Sequence, residues 1–464
     1  MLIRHADIHG HGTGDLRIAD GRIAAIGALE LLPAEPVIDA RGGALLPGLH
    51  DHHIHLAALA ARRDSLPCGP PDVMDEAALA ARLAAPGTGW LRGIGYHESV
   101  AGMLDRAMLD RMAPHRPVRI QHRSGRMWFL NSAGLDVLLT AADAPPGLDR
   151  ATGRLFDEDR WLRGALGGTP PDFAGVSADL ARCGITGITD MSPANDTAMA
   201  AHFIAQQAAG HLRQRCLLAG TLALVDMPAT ATLATSQFAI GPAKIHLHEA
   251  DLPDYDATVA FITAAHGQDR VVAIHCVSET ELVFALAALA EAGSRPGDRI
   301  EHASIAPNSA VAEIARLGVA VVSQPHFIAE RGDQYRTMVE PDSIPRLYRL
   351  RAFLDAGVTL AGGSDAPFGE PDPWAAMRAA VSRRTRTGHS IGAGEALTPE
   401  QALALFLADP VDLGHQRTIT VGAPADLCLL DRAWQQARTR LSADDVRMTI
   451  LGGAIVHDRI DQAP

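Results

Sequence analysis

The chain has 464 residues, 47% of them hydrophobic, which is enough to bury a large core and suits two or three domains or one large α/β barrel with an accessory domain. Its formal charge of −13 comes with no basic stripe or charge block, so nucleic acid is not expected as a partner. Five cysteines without paired spacing (Cys68, Cys183, Cys216, Cys276, Cys428), no signal-peptide pattern in MLIRHADIHGHGTGD and no membrane-length apolar run lead us to expect a cytoplasmic protein without a membrane partner.

In chain order, the first elements are short strands: DLRI, then Ala19-Asp20-Gly21, then RIAAIG alternate apolar and polar residues around a turn that Asp-Gly favours. Between the termini, apolar runs recur among Ala-rich helical stretches: ALLPGLHDHHIH, GITGITDM, RCLLAG, AKIHLH, VVAIHC, RIEHA, VAVVSQP and VTLAGGSD. Eight strands in alternation with helices predict parallel pairing and a (β/α)8 TIM barrel, with an open doubly wound sheet as the rival. The last segment repeats the hairpin chemistry, TITVGAPADLCLLD and VRMTILGGAIVHD containing a Gly452-Gly453 turn. The expected organisation is a small β-sandwich built from residues 1–46 and 411–464 around a barrel at 47–410. An insertion at about 60–181, including LRGIGYHESV and QHRSGRMWFLNSAGL, is expected to shape the substrate pocket.

Candidate chemistry starts with Lys244, the only lysine among 41 basic residues other than histidine. Replacement of every other lysine by arginine would have reached this one too, unless its chemistry needs a primary amine that can lose its proton and become nucleophilic. A neutral amine can take up CO2 and become a carbamate, a two-oxygen anion. His53 and His55, two apart on the first strand candidate, point to one side about 7 Å apart and can chelate one ion. His275 ends the fifth candidate, His302 the sixth and Asp365 the eighth, where a barrel's C-terminal face gathers side chains; Lys244 begins the fourth. Imidazoles with oxygen donors suit a borderline divalent ion such as zinc, with manganese, iron or nickel left open.

PGLHDHHIH, Lys244, His275, His302 and Asp365, in that order between split sandwich halves, resemble the amidohydrolase superfamily of metal-dependent hydrolases. GIGYH, FLNSAGL, KIHLHEADLP, RIEHA and GGSDAPFGEPDP are similar to its YtcJ-like branch, amidohydrolase family 3, so the resemblance covers nearly the whole chain. It implies two divalent metal ions: His53, His55 and Asp365 on one, His275 and His302 on the other, bridged by carbamylated Lys244 and a hydroxide. The implied reaction is hydrolysis of a non-peptide carbon–nitrogen bond (an amide, cyclic amide, urea or N-acyl group) by that hydroxide, with Asp365 as general acid and base. At one place the chain departs: branch members often carry His where Arg126 follows Gly125.

Ser364 and Cys276 adjoin the candidate ligands but fall on opposite strand faces and are read as packing. His97, Arg126, His248, His326 and Arg349 are candidate substrate contacts, His246 shares the Lys244 face, and Arg346 and Glu330 are further residues near that end. Each also has an ordinary reading as a loop bond or a solvated charge. Arg126 or Arg349 would pair an anionic substrate group if it faced the metals. Three other functions stay open: a one-metal deaminase of the same superfamily, a Schiff-base lyase using Lys244, and a binding or assembly protein that has lost catalysis. A small-molecule substrate is expected in every catalytic case, and a homodimer, common among such barrels, is carried as an expectation.

Overall fold

The computed structural model describes residues 1–70, 72–167, 170–226 and 237–459, and among them no helix is long and apolar enough to cross a membrane. All eight predicted strands form, as one parallel sheet in sequential order: β1 (Leu49–Ile54), β2 (Ile185–Asp190), β3 (Arg215–Gly220), β4 (Phe238–His246), β5 (Val272–Cys276), β6 (Arg299–His302), β7 (Ala320–Ser323) and β8 (Leu360–Gly362). Their near-continuous burial is what a parallel sheet covered on both faces requires.

The sheet closes where the chain leaving β8 returns to β1. Asp365 N–H donates to the His53 carbonyl at 2.7 Å, and His55 N–H to the Ala366 carbonyl at 2.8 Å. Gly363 permits this approach, because a Cβ there would lie 2.5 Å from the His53 backbone nitrogen. The barrel, not the open sheet, is therefore the architecture.

Two expectations about strand limits change. ALLPGLHDHHIH divides into Ala44–Pro47, which joins the terminal sheet, and β1; the break falls at Gly48, where any side chain would strike Thr186. Lys244 does not begin its strand. Gly241-Pro242 reads as a breaker, yet β4 runs through it by shifting register against β3 between the Leu218 and Gly220 pairings, a bulge of the kind where strand proline is tolerated. Lys244 consequently sits two residues from the C-terminal end of β4.

Both termini contribute to a second, eight-stranded sheet, seven strands in one path and the eighth paired beside it. Val446–Leu451, flanked by Leu427–Leu430 and Ala454–Asp458, extends Ala44–Pro47, Leu2–Ile8, Gly12–Ala19 and Arg22–Gly27, with Val37–Asp39 beside Leu2–Ile8. Asp20 and Gly21 have φ of 49° and 72°, and Gly452 and Gly453 have 55° and 81°, the positive pair that a two-residue hairpin turn demands. The sheet curls until the free edge of Arg22–Gly27 bonds residues 422–425, and Ile3, Ile18, Leu427 and Ile450 share one core. The predicted strand content of TITVGAPAD is absent, since that stretch serves as the strap along this edge.

Ala57–Pro171 forms a compact unit of its own around a six-stranded sheet. Asn131 of FLNSAGL caps the helix Ser132–Ala141, its Oδ1 accepting from Gly134 and Val118 N–H at 2.8 Å each, so that motif has a structural purpose. The helix Ala174–Arg182, placed in the insertion by the sequence, belongs to the barrel unit, where the Ala181 carbonyl accepts from Thr449 Oγ1 at 2.7 Å.

Candidate metal centre

β1 delivers Asp51 and His53, and His55 follows at its end. The His55 Nε2 lies 3.2 Å from Asp365 Oδ1 and the His53 Nε2 3.4 Å from the same oxygen. All three ligand atoms fall within 4.8 Å of one another. A tetrahedral ion with bonds of about 2.0–2.1 Å has ligand edges of roughly 3.3 Å, so these spacings fit one divalent ion. Among the described residues this is the one set of three that meets the criterion.

The other predicted ligands continue outward from this set as a file of rings. His53 and His302 have centroids 4.8 Å apart, His302 and His275 4.5 Å, and His275 stacks on His246 at 4.3 Å. His246 Nε2 in turn lies 3.1 Å from His248 Nε2, on the exposed side. Lys244 is 5% exposed, and its Nζ and the Nε2 of His302 are buried atoms with no hydrogen-bond partner. Orphaned polar atoms this deep are costly unless something else satisfies them.

Electrostatics move several of these groups toward a ligating form. Desolvation brings the Lys244 amine down to about 8, partly opposed by Glu301 and reinforced by Arg299. Burial, with the Lys244 and His302 charges, holds His53 well below the usual imidazole value; burial does the same for His275 and lowers His302. For Asp365 burial pulls upward but is outweighed by the His55 hydrogen bond and by His302 and His53, so it stays well below the carboxylate range. The result is neutral imidazoles at His53, His275 and His302 beside an ionised Asp365 carboxylate.

Three groups lie against the outer ring nitrogens, and none was singled out from the sequence. His53 Nδ1 makes a short contact to Glu301 Oε2, His55 Nδ1 lies 3.1 Å from Ser192 Oγ, and His302 Nδ1 lies 2.8 Å from Gln324 Oε1. Strand alternation sends the neighbour of His302 to the opposite face, so spacing alone does not bring Glu301 to His53. The rule fails here for a visible reason. His302 has φ of +70°, and Ala303 N–H donates to the Glu301 carbonyl at 2.9 Å, closing a three-residue turn that lets both side chains reach His53. Asp365, at φ +53°, is likewise held in the left-handed region. Such conformations cost about 1–3 kcal/mol each and persist where surrounding contacts enforce them.

Asp51 is a further missed residue. Its Oδ1 accepts from His53 N–H at 3.1 Å and Ser364 N–H at 2.9 Å, tying β1 to the segment after β8. Asp51→Ala leaves two buried donors unpaired, each costing about 1–3 kcal/mol. We expect a lower apparent melting temperature for the metal-free variant; an unchanged melting curve would remove this brace from the account.

The sequence pattern of the amidohydrolase family fits residues 36–457. The chain belongs to the amidohydrolase family. Like its relatives it is an enzyme, a metal-dependent hydrolase. It is 24% identical to the amidohydrolase-named YtcJ of Bacillus subtilis (strain 168), covering 97% of each chain. Against an N-substituted formamide deformylase of Arthrobacter pascens it is 26% identical over 98% of this chain and 97% of that one. An uncharacterized metal-dependent hydrolase from Pyrococcus horikoshii superposes with a TM-score of 0.77 at 19% identity, covering 93% and 97%. The zinc complex of atrazine chlorohydrolase TrzN from Arthrobacter aurescens TC1 gives 0.59 at 15% identity, covering 100% and 97%.

The remaining candidates of this amidohydrolase have partners that define them. His326 Nε2 donates to the Ser364 carbonyl at 2.9 Å, bracing the residue before Asp365. Arg349 is engaged by Glu395 at 2.9 Å and Asn308 at 2.5 Å, and Arg346 lies 3.7 Å from Glu279. Glu330 accepts from Glu370 N–H at 3.2 Å. His97 and Arg126 belong to the Ala57–Pro171 unit: His97 Nδ1 lies 2.8 Å from Ser99 Oγ, and Arg126 pairs with Asp157 over the Phe156 ring. Cys276 is buried, its thiol directed at the Glu281 carbonyl and pushed well above the ordinary value by desolvation, which makes a thiolate nucleophile untenable. Ser364 Oγ accepts from Ala366 N–H at 3.1 Å.

Proposed function

We propose that this amidohydrolase hydrolyses a non-peptide carbon–nitrogen bond of a small molecule, an amide, cyclic amide, urea or N-acyl group, using two divalent ions, zinc first among them. In this reading His53, His55 and Asp365 hold one ion, His275 and His302 the other, and Lys244 as its carbamate lies between them. The observation that carries it is the convergence of two imidazole Nε2 atoms and one ionised carboxylate beside two buried, unpartnered polar atoms, Lys244 Nζ and His302 Nε2.

Divalent ions bound there supply Lewis-acid chemistry, lowering the pKa of water and polarising a carbonyl oxygen. The chain's own residues do the rest. Asp365 accepts the proton of the attacking water on its carboxylate and releases it to the leaving nitrogen. Ser192, Glu301 and Gln324 fix the imidazoles, and the His326 bond to the Ser364 carbonyl steadies the turn that carries Asp365. His246 and His248, at the exposed end of the ring file, are placed to meet substrate. The name of the Arthrobacter pascens relative makes N-formyl and N-acyl amines the first compounds to assay. We further propose that the protein acts as a homodimer in the cytoplasm.

One observation favours a second reading. The three-residue set at His53, His55 and Asp365 stands alone by distance, as a one-metal deaminase of the same superfamily would have it, with Lys244 structural. Elemental analysis of metal-loaded protein, paired with product identification on N-acyl amines, cyclic imides, ureas and aminated heterocycles, separates the two. Two ions per chain with release of a carboxylic acid or amine is expected. One ion with ammonia released from a heterocycle would replace the first reading by the second.

A further inference from the structure

Glu301 is a fully buried carboxylate that takes no part in the proposed ligand set or proton path. Its Oε2 contacts His53 Nδ1, and its Oε1 lies 2.6 Å from Arg299 Nε, a guanidinium itself 1% exposed. Arg299 Nη2 also donates to the His52 carbonyl at 3.1 Å and lies 2.8 Å from Met191 Sδ, so the arginine is fixed from the back of β1. A carboxylate can only accept here, which makes His53 Nδ1 the protonated nitrogen and leaves Nε2 with the lone pair, directed at the Asp365 oxygen. His55 and His302 have neutral partners at the same nitrogen, Ser192 Oγ and Gln324 Oε1. Only His53, whose ring lies between those of His55 and His302, has a charged acceptor backed by a buried cation.

Resting on the reading of His53 as a metal ligand, we propose that Glu301 is a positioning residue that locks His53 in its Nδ1–H tautomer, and that Arg299 is the cation that holds Glu301 in place. An outer carboxylate of this kind fixes ring orientation and raises ligand basicity, and its loss typically costs about 10–100-fold in metal affinity. Glu301→Leu removes the acceptor. Because it also leaves Arg299 buried and unpaired, the double variant Arg299→Met/Glu301→Leu removes both charges at once. Glu301→Gln retains an acceptor of the same length.

The test measures zinc affinity by chelator competition and the His53 tautomer by 15N NMR of the metal-free protein. The Leu variant, alone or in the double variant, is expected to bind zinc about 10–100-fold more weakly and to lose the single Nδ1–H tautomer. The Gln variant is expected to keep the tautomer and lose less affinity. A folded double variant with wild-type zinc affinity, set beside a His53→Ala variant that has lost zinc, overturns this inference alone. Undiminished zinc in His53→Ala overturns the ligand reading beneath it.

Discussion

Asp365→Asn is expected to reduce kcat by about 10²–10⁴-fold, the usual worth of a positioned general acid or base, while the variant still folds. The amide matches the carboxylate in size and can still meet the His55 and His53 nitrogens, 3.2 and 3.4 Å away, but it cannot accept the proton of an attacking water. The left-handed backbone at Asp365 tolerates Asn better than most residues, which makes this variant a cleaner probe than Ala. Metal content measured beside kcat separates lost ligation from lost proton transfer. A variant with full metal and full turnover would remove Asp365 from the chemistry.

Lys244→Arg should lose both metal and activity. Arginine cannot form a carbamate, and it would set a permanent cation among the ligands where Lys244 is only 5% exposed. Two unit charges about 4 Å apart at an effective dielectric of about 20 repel by about 4 kcal/mol, near 10³-fold in affinity, and a divalent ion doubles the repulsion. Lys244→Ala adds a chemical discrimination. A small carboxylate such as acetate can enter the vacated space and offer two oxygens, so partial rescue by acetate supports the carbamate. Rescue by a primary amine, or borohydride trapping of a carbonyl substrate on Lys244, would support the Schiff-base alternative instead.

The barrel was legible because parallel strands buried on both faces leave unmistakable apolar runs, and because His53, His55, His275, His302 and Asp365 fall at or near the ends of theirs. Two things were hidden. β4 begins at Phe238 and continues through Gly241-Pro242 by a shift of register, so Lys244 lies near its end and not its start. Glu301 was hidden more deeply, since its presence beside His53 depends on the positive φ of His302, a tertiary constraint that alternation cannot anticipate. The terminal sheet was read in its hairpins but not in its continuity, because pairing of Ala44–Pro47 with Leu427–Leu430 spans almost the entire chain. Arg126 and Arg349, carried from the sequence as candidate substrate contacts, are each engaged by an acidic partner, Asp157 and Glu395.

Anomalous diffraction at the zinc edge from metal-loaded crystals tests the central claim most directly. A peak is expected about 2.0–2.1 Å from both His53 Nε2 and His55 Nε2 and within bonding reach of Asp365. A second peak is predicted on His275 and His302, with density for CO2 on Lys244 Nζ between the two. Zinc bound elsewhere with these imidazoles unligated, in crystals of active enzyme, would contradict it.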